Sequence, residues 1–257
     1  MSSHRSSLIS PPSAHSLPAR TRIKVCGLTR EQDVDAAVAA GVDAVGFVLY
    51  APSPRAVTPQ RAAQLAARLP PFVTPVLLFV NESASNVIAA SAYVAGATLQ
   101  FHGDETPEQC WAASGQGARA FVRAARIPLG AEGARFDLVE YAHVHSRAQA
   151  ILLDAHVEGY GGGGQSFQWS LLPPSVACHL VLSGGLTPAN VTDGILQVRP
   201  RCKTLAVDIS SGVELDGPGG QPIKGVKDAD KIYRFVAAVR AADAQLANTP
   251  HGFLPTT

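Results

Sequence analysis

The sequence predicts an α/β protein folded as a single (β/α)8 TIM barrel. Short apolar segments rich in β-branched residues alternate with Ala-rich segments of helical period along most of the 257-residue chain. The apolar segments carry few polar residues on either face, as strands of a helix-covered parallel sheet must. Eight such pairs follow one another, the number that closes a barrel. A doubly wound open sheet is the alternative, but it would usually place Gly-x-Gly-x-x-Gly after the first strand, and residues 26–29 read Cys-Gly-Leu-Thr.

The strand candidates are bounded by Gly, Pro or polar residues, which end β structure. In chain order, the eight strands are predicted at Ile23–Cys26, Ala44–Leu49, Val73–Val80, Thr98–Phe101, Ala118–Val122, Ala150–Asp154, His179–Leu182 and Thr204–Ile209.

Five of the eight helix candidates begin shortly after Ser or Thr, and in three of these the Thr is followed by proline, at residues 59, 107 and 188. The first helix stops at Gly41, a residue typical of helix C-termini. The residues predicted to precede helices are Thr29, Thr58, Ser83, Thr106 and Thr187. The helices are predicted over Glu31–Ala40, Gln60–Arg68, Ala84–Val94, Glu108–Ala113, Arg135–Ala142, Trp169–Val176, Ala189–Gln197 and Asp228–Ala242.

The barrel is predicted to occupy residues 22–243, with a tail on each side. Residues 1–21 are rich in Ser, Pro and His, contain no acidic residue and lack the apolar stretch of a secretory signal. We interpret them as a disordered tail. A transit peptide is the alternative, although Pro11, Pro12 and Pro18 disfavour the helix that it would need. Residues 244–257 are predicted to form a flexible C-terminal tail.

Composition and charge exclude several classes of function. The net charge is +1 and no basic run with interleaved aromatic residues occurs, so nucleic acid and anionic membranes are not expected partners. No apolar run is long enough to span a bilayer. The four cysteines lack the spacing of a zinc site and are too scattered for a disulfide framework, which favours a reducing compartment such as the cytoplasm.

Two glycine-rich segments at the ends of the last two strands predict a phosphate site. Residues 183–186 read Ser-Gly-Gly-Leu before a helix, and residues 208–213 read Asp-Ile-Ser-Ser-Gly-Val. Glycine lets the backbone approach an anion, and adjacent loops of the seventh and eighth units often bind phosphate in such barrels. Ordinary tight turns are the alternative for either segment alone. The candidate phosphate-binding residues are Gly184, Gly185, Ser210, Ser211 and Gly212.

An acid and a base are predicted at the ends of the sixth and first strands. Lys24 and Cys26 share one face of the first strand, and a nearby ammonium group favours a thiolate that can act as a base. Asp154 follows three apolar residues, and a partly desolvated carboxyl group there can keep its proton and act as an acid. For Cys26 the alternative is a small core residue, and for Asp154 it is a cap on a backbone turn.

Further polar residues lie at other strand ends. Arg55, in a proline-flanked turn after the second strand, is suited to bidentate binding of a carboxylate. Gln100 and His102 flank the end of the fourth strand, where His102 either lines the pocket or is a hydrogen-bonded structural residue. Asp208 ends the eighth strand, where it either orients substrate hydroxyl groups or braces the loop. Residues 159–164, Gly-Tyr-Gly-Gly-Gly-Gly, form either a segment that closes over a ligand or a plain loop.

Together these segments resemble the phosphoribosylanthranilate isomerase family of tryptophan biosynthesis, in order, from about residue 22 to residue 240. The matching motifs are Lys-Val-Cys-Gly-Leu-Thr at 24–29, Gly-Phe-Val at 46–48 with Ser-Pro-Arg at 53–55, Gln-Phe-His-Gly-Asp-Glu at 100–105, Leu-Asp-Ala at 153–155, Ser-Gly-Gly-Leu at 183–186, and Val-Asp-Ile-Ser-Ser-Gly-Val-Glu at 207–214.

The resemblance implies a cofactor-free Amadori rearrangement of a small phosphoribosyl substrate, N-(5-phosphoribosyl)anthranilate, by a monomer or homodimer. It implies that Asp154 protonates the ring oxygen, that Cys26 removes the C2 proton, that Arg55 binds the anthranilate carboxylate and that the seventh and eighth loops bind phosphate. The family's sixth loop reads Gly-Gly-Thr-Gly-Lys-Thr-Phe-Asp-Trp, whereas residues 161–169 differ at Gly163, Gln165 and Gln168.

Three other functions are alternatives to the one that the resemblance implies. The aminoimidazole ribonucleotide isomerase of histidine synthesis would carry an aspartate instead of Cys26. Ribulose-phosphate epimerase would need metal-binding histidines and aspartates at the strand ends. A non-catalytic phosphometabolite-binding barrel would leave Cys26 and Asp154 free to vary.

Overall fold

In the computed structural model, which describes residues 20–155 and 168–248, eight parallel strands form a closed barrel. Each strand pairs with the next one along the chain, and the first pairs with the eighth. The predicted fold class is therefore confirmed. The strands are β1 Arg22–Cys26, β2 Ala44–Val48, β3 Thr74–Phe79, β4 Thr98–Phe101, β5 Phe121–Ile127, β6 Ala150–Ala155, β7 Val176–Leu182 and β8 Cys202–Ile209.

The helices pack outside the barrel, and several begin where the sequence predicts. The side chains of Thr58, Ser83 and Thr106 each accept a backbone N–H of the first helical turn. Gly41 ends the first helix in the left-handed conformation. The helices are α1 Glu31–Ala40, α2 Pro59–Ala66, α3 Ala84–Ser91, α4 Pro107–Ala113, α5 Leu138–Val144, α6 Val191–Val198 and α7 Ala229–Asn248.

The fifth strand lies further along the chain than the predicted Ala118–Val122. Gly115 and Gly117 have φ values of 67° and 84°, so this part of the chain turns before β5 begins. The strand then continues through Arg123, whose charged side chain interrupts the apolar run in the sequence. The Arg123 guanidinium is buried and donates to the carbonyl groups of Phe101 and Gly103 at 3.1 and 3.0 Å.

One helix prediction is wrong, and two residues predicted to precede helices do not cap them. Of the predicted helix Trp169–Val176 only a 3-10 turn over Trp169–Leu171 forms, because prolines at 173 and 174 cannot continue a helix. Thr187 does not cap the next helix, which begins at Val191. Thr29 likewise caps nothing, since its hydroxyl donates to the carbonyl of Gly225 at 2.7 Å.

The segment before the last helix is a small antiparallel hairpin of β9 Glu214–Asp216 and β10 Pro222–Lys227. The last helix, α7, extends to Asn248 rather than Ala242, past the predicted start of the C-terminal tail. The remainder of the predicted tails and residues 159–164 lie outside the described residues. Among the described residues, no helix is long and apolar enough to cross a membrane.

Apolar side chains of the strands and of the inner helix faces form one core. A second, smaller cluster lies at the C-terminal ends of the first three strands and contains Cys26, Val48, Leu78 and Val80. The predicted general base is therefore packed among apolar neighbours.

Polar contacts tie the start of β1 to the last helix at the N-terminal face. Thr21, assigned to the tail in the sequence, is buried. Its backbone N–H and hydroxyl donate to the Asp243 carboxylate at 2.9 and 2.5 Å. Arg199 also bonds to the Thr21 hydroxyl, and Arg240 donates to its carbonyl at 2.9 Å. These contacts serve stability, because they lie on the face of the barrel opposite the predicted site.

We expect Asp243→Ala to lower the free energy of unfolding by about 2 kcal/mol, because it leaves partly buried donors without an acceptor. Urea unfolding followed by circular dichroism measures the change. Arg234→Ala is the matched control on the same helix, since the exposed Arg234 side chain bonds only to Asp230 of its own helix. Equal stability of the two variants would contradict the assignment.

Candidate active site

The first and eighth strands place Cys26, Lys24 and Asp208 together. Lys24 Nζ lies 2.8 Å from Asp208 Oδ2, and all three side chains are buried. Gly46 on β2 makes room for the thiol, because a Cβ added there would lie 2.6 Å from Cys26 Sγ. The thiol is thus confined between a glycine and an ion pair.

The electrostatics of Cys26 differ from the expectation that Lys24 favours a thiolate. Burial raises the pKa of the thiol above its ordinary value of 9.0, and although Lys24 lowers it, the Asp208 carboxylate raises it further. Burial also acts to lower the pKa of Lys24, but the charges of Asp208 and Cys26 outweigh it, so the pKa of Lys24 lies above its ordinary value. At neutral pH the site therefore holds a neutral thiol beside the Lys24 ammonium, which lies 2.8 Å from Asp208 Oδ2.

A buried hydrogen-bonded chain links β4 to β6. Gln100 Nε2 lies 2.9 Å from His102 Nδ1, and His102 Nε2 lies 2.8 Å from Asp154 Oδ2. Asp154 Oδ1 accepts the Ala155 N–H at 3.0 Å. The structure thus brings together Gln100, His102 and Asp154, and the Gln100 amide contacts the imidazole of His102.

Asp208 lies near both sets of side chains, since it pairs with Lys24 and is acted on by the charges of His102 and Asp154. Burial raises the pKa of this carboxyl, Lys24 lowers it, and the nearby His102 and Asp154 act in opposite directions, so the net pKa is raised. One of its oxygens, Oδ1, is buried without a hydrogen-bond partner among the described residues. An unpartnered buried carboxylate oxygen is an acceptor for a ligand hydroxyl group.

The two predicted phosphate loops meet. A Cβ added at Gly212 would lie 2.0 Å from the carbonyl oxygen of Leu186, so the loop after β8 lies directly against the loop after β7. Gly184 and Gly185 have φ values of 76° and 64°. The Ser210 hydroxyl donates to the Cys26 carbonyl at 3.1 Å and is therefore turned toward β1. In the described part of the chain no acceptor is bound by the backbone N–H groups of Gly184, Gly185, Ser211 and Gly212.

Arg55 has a carboxylate partner within the chain, Glu214, which sequence reasoning missed. Arg55 Nε and Nη2 donate to the two Glu214 oxygens at 2.7 and 2.8 Å. Lys227, also missed, donates to the Ser210 carbonyl at 2.8 Å and lies 3.4 Å from Glu214 Oε1. The signals for Glu214 are its position directly after the glycine-rich segment of the eighth loop and its place at the end of the motif at 207–214.

Within the described residues, no group of three or more His, Cys, Asp or Glu side chains is arranged to hold a metal ion. The site holds a thiol, a carboxyl group paired with imidazole, two glycine loops and an arginine.

Comparison with known proteins gives the family of the chain. The family model described as N-(5'phosphoribosyl)anthranilate (PRA) isomerase matches residues 23–238. The N-(5'-phosphoribosyl)anthranilate isomerase of Methylibium petroleiphilum is 60% identical over 228 residues, covering 89% of this chain and 98% of its own. Phosphoribosyl anthranilate isomerase from Thermotoga maritima superposes with a TM-score of 0.71 at 36% identity, over 86% of this chain and 99% of that one. A further isomerase structure, in complex with reduced 1-(o-carboxyphenylamino)-1-deoxyribulose 5-phosphate, has a TM-score of 0.66 at 33% identity, with coverage of 86% and 99%.

The charge of Asp208 is expected to control the Cys26 thiol. In Asp208→Asn the pKa of Cys26 falls, because a negative charge is lost and Lys24 no longer has its carboxylate partner. Alkylation of Cys26 by iodoacetamide at pH 7 then becomes about 3- to 10-fold faster, since the thiolate is the reactive form. Mass spectrometry of the Cys26 peptide measures the rate.

Asp216→Asn, which removes an exposed carboxylate on β9, is the control and leaves the rate unchanged. An unchanged rate in Asp208→Asn as well would contradict the electrostatic account.

Proposed function

Because the chain belongs to the N-(5'-phosphoribosyl)anthranilate isomerase family and is an isomerase, we propose that Asp154 and Cys26 serve as the general acid and general base of the Amadori rearrangement in tryptophan biosynthesis. The observation that carries the assignment is the pair of buried proton-exchanging groups at the same edge of the barrel, one on β6 and one on β1.

The proposed reaction conserves protons. Asp154 donates a proton to the ribose ring oxygen, the bond from that oxygen to C1 breaks, and the nitrogen lone pair forms a Schiff base at C1. Cys26 as thiolate then removes the C2 proton, and the electron pair of that bond forms the C1–C2 double bond of an enolamine. Its hydroxyl loses a proton and C1 gains one, which gives the ketone. Cys26 begins as a thiol, gives up one proton on ionising and regains one from C2. The proton that it gave up balances the one that returns to Asp154, so the enzyme regains its starting state.

The contacts of Asp154 suit a group that holds and releases a proton. With the Gln100 amide nitrogen facing Nδ1, His102 Nε2–H donates to the ionised carboxylate. If the Gln100 amide turns over, its oxygen accepts Nδ1–H, and Nε2 accepts the proton of a neutral Asp154. The same three side chains therefore accommodate both protonation states. We assign Gln100 to orienting His102, and His102 to positioning Asp154.

The base must ionise when the substrate is bound. Burial keeps the Cys26 thiol neutral in the ligand-free site, which protects it from side reactions. Ring opening creates a positive Schiff base next to C2, and a positive charge nearby lowers the pKa of a thiol. The base is thereby activated after the acid step. We also assign Lys24 to lowering the pKa of the Cys26 thiol, through its own positive charge.

The remaining contacts orient the substrate. We assign the phosphate to the loops after β7 and β8, whose backbone N–H groups at Gly184, Gly185, Ser211 and Gly212 face no acceptor in the described part of the chain. The buried Oδ1 of Asp208 accepts a ribose hydroxyl. Arg55 binds the anthranilate carboxylate through the edge of its guanidinium that Glu214 leaves uncovered.

We expect Cys26→Ala and Asp154→Asn each to lower kcat for phosphoribosylanthranilate by at least about 100-fold, because each removes one proton-transfer group. Loss of anthranilate-type fluorescence from freshly made substrate measures turnover, and calorimetry with the reduced product analogue measures binding. Binding changes little, since neither group is assigned to the phosphate or the carboxylate.

Cys110→Ala is the matched control, because Cys110 is a buried thiol on α4, away from the strand ends. Near-normal turnover in Cys26→Ala or Asp154→Asn would refute that residue's role. Tight binding of the analogue without turnover by the unmodified protein would instead support a binding protein.

A further inference from the structure

The hairpin β9–β10 places two buried charges beside Arg55. Glu214 is the first residue of β9 and Lys227 the last residue of β10, and both side chains are fully buried. Glu214 Oε1 accepts from Arg55 Nε at 2.7 Å and from the Gly225 N–H at 2.8 Å, and Lys227 Nζ lies 3.4 Å from it. One carboxylate thus lies between two cations.

Glu214 covers one edge of the guanidinium. Its two oxygens face Nε and Nη2, which leaves the edge formed by Nη1 and the second N–H of Nη2 for a ligand. Among the described residues, Nη1 has no hydrogen-bond partner. The geometry of Arg55 therefore allows a second carboxylate to bind end-on.

The charge balance decides whether that second carboxylate binds well. Arg55 and Glu214 alone sum to zero, so a ligand carboxylate would meet a neutral pair and lie close to another negative group. Lys227 restores a net charge of +1 to the cluster. Burial lowers the pKa of Lys227 to about 8, so it still carries its proton at pH 7. Burial acts to raise the pKa of Glu214, but Arg55 and Lys227 outweigh it and keep the carboxylate ionised.

We propose that Lys227 is a specificity-determining residue that makes Arg55 selective for a ligand carboxylate, by cancelling the charge of Glu214. This rests on the proposed function in one respect, the assignment of the anthranilate carboxylate to Arg55. Lys227 does not reach the ligand itself, since its side chain is enclosed and its contacts are Ser210 and Glu214. It acts through the charge that it adds and through the Glu214 carboxylate that it holds.

The test compares two probes that differ only in the carboxylate. One is reduced 1-(o-carboxyphenylamino)-1-deoxyribulose 5-phosphate, and the other is the same molecule with a plain phenyl group. The ratio of their Kd values, measured by calorimetry at pH 7, is the carboxylate discrimination. We expect Lys227→Met to reduce this ratio about tenfold, because one positive charge close to the ligand carboxylate is lost. The ratio is the readout and not either Kd alone, because Lys227 also bonds to Ser210 in the loop after β8, and an effect on that loop changes both Kd values alike.

The decisive variant is the double substitution Lys227→Met with Glu214→Gln. It removes one positive and one negative charge, so Arg55 again supplies a net +1, and the discrimination returns to within about threefold of the original. A merely structural Lys227 predicts the opposite, since the double variant loses more contacts than the single one. Discrimination that falls further in the double variant would overturn the proposal.

Two further measurements complete the design. Lys224→Met is the matched control, because it removes an exposed lysine from the same strand, and it leaves the ratio unchanged. If Lys227→Met does not fold, the double variant still tests the proposal by its own ratio, because in it no carboxylate loses its second cation and Arg55 keeps an amide oxygen as an acceptor. Substrate turnover is assayed separately. Loss of turnover with the expected ratios would reject the proposed function alone, and normal turnover with unchanged ratios would reject the role of Lys227 alone.

Discussion

The first and last strands pair in parallel, with Lys24 opposite Asp208 in the register, and this seam closes the barrel. The buried ion pair between these two side chains fixes that register from inside the barrel. A slip of one residue would turn Lys24, and Cys26 with it, toward the helices, because alternate residues of a strand face opposite sides. Beyond the ion pair, Ser210 bonds to the Cys26 carbonyl, which joins the loop after β8 to the end of β1. Closure of the sheet and assembly of the site therefore depend on the same register.

The C-terminal end of the barrel holds an unusual number of buried charges for so apolar a chain. Lys24, Asp208, Arg55, Glu214 and Lys227 are all buried. Removing each isolated ion from water would cost several kcal/mol. Pairing offsets that cost, but the paired charges stabilise the fold no more than apolar side chains of similar size would. Stability alone therefore does not account for them. A ligand that carries a phosphate and a carboxylate does, because it needs a preorganised positive field that water does not screen. At the opposite face the polar contacts around Thr21 serve only to join β1 to α7.

Much of the fold was predictable because its signals are local. Apolar runs marked seven of the eight strands within a few residues, and the side chains of Thr58, Ser83 and Thr106 cap helices as their positions indicate. The rule that polar residues at strand ends converge also placed Cys26 near Asp208 and His102 near Asp154. The fifth strand was misplaced because Arg123 breaks its apolar run, and its guanidinium finds carbonyl partners only in the folded chain. Prolines 173 and 174 rule out the predicted helix there, and this signal is local to the sequence.

The charged partners could not be predicted, because they come from distant parts of the chain. Arg55 has the chemistry of a carboxylate receptor, and the sequence cannot say whose carboxylate it receives. The structure shows that Glu214, 159 residues away, takes one edge of the guanidinium. A guanidinium has a second edge, so an internal partner does not compete with a ligand and instead fixes the plane in which the ligand must approach. The same reasoning applies to the thiol. Lys24 alone predicts a thiolate, whereas Lys24 paired with Asp208 leaves burial dominant, and the pKa rises. For Arg55, the partner Glu214 fixes the direction from which a ligand carboxylate approaches. For Lys24, the partner Asp208 removes the expected preference for a thiolate.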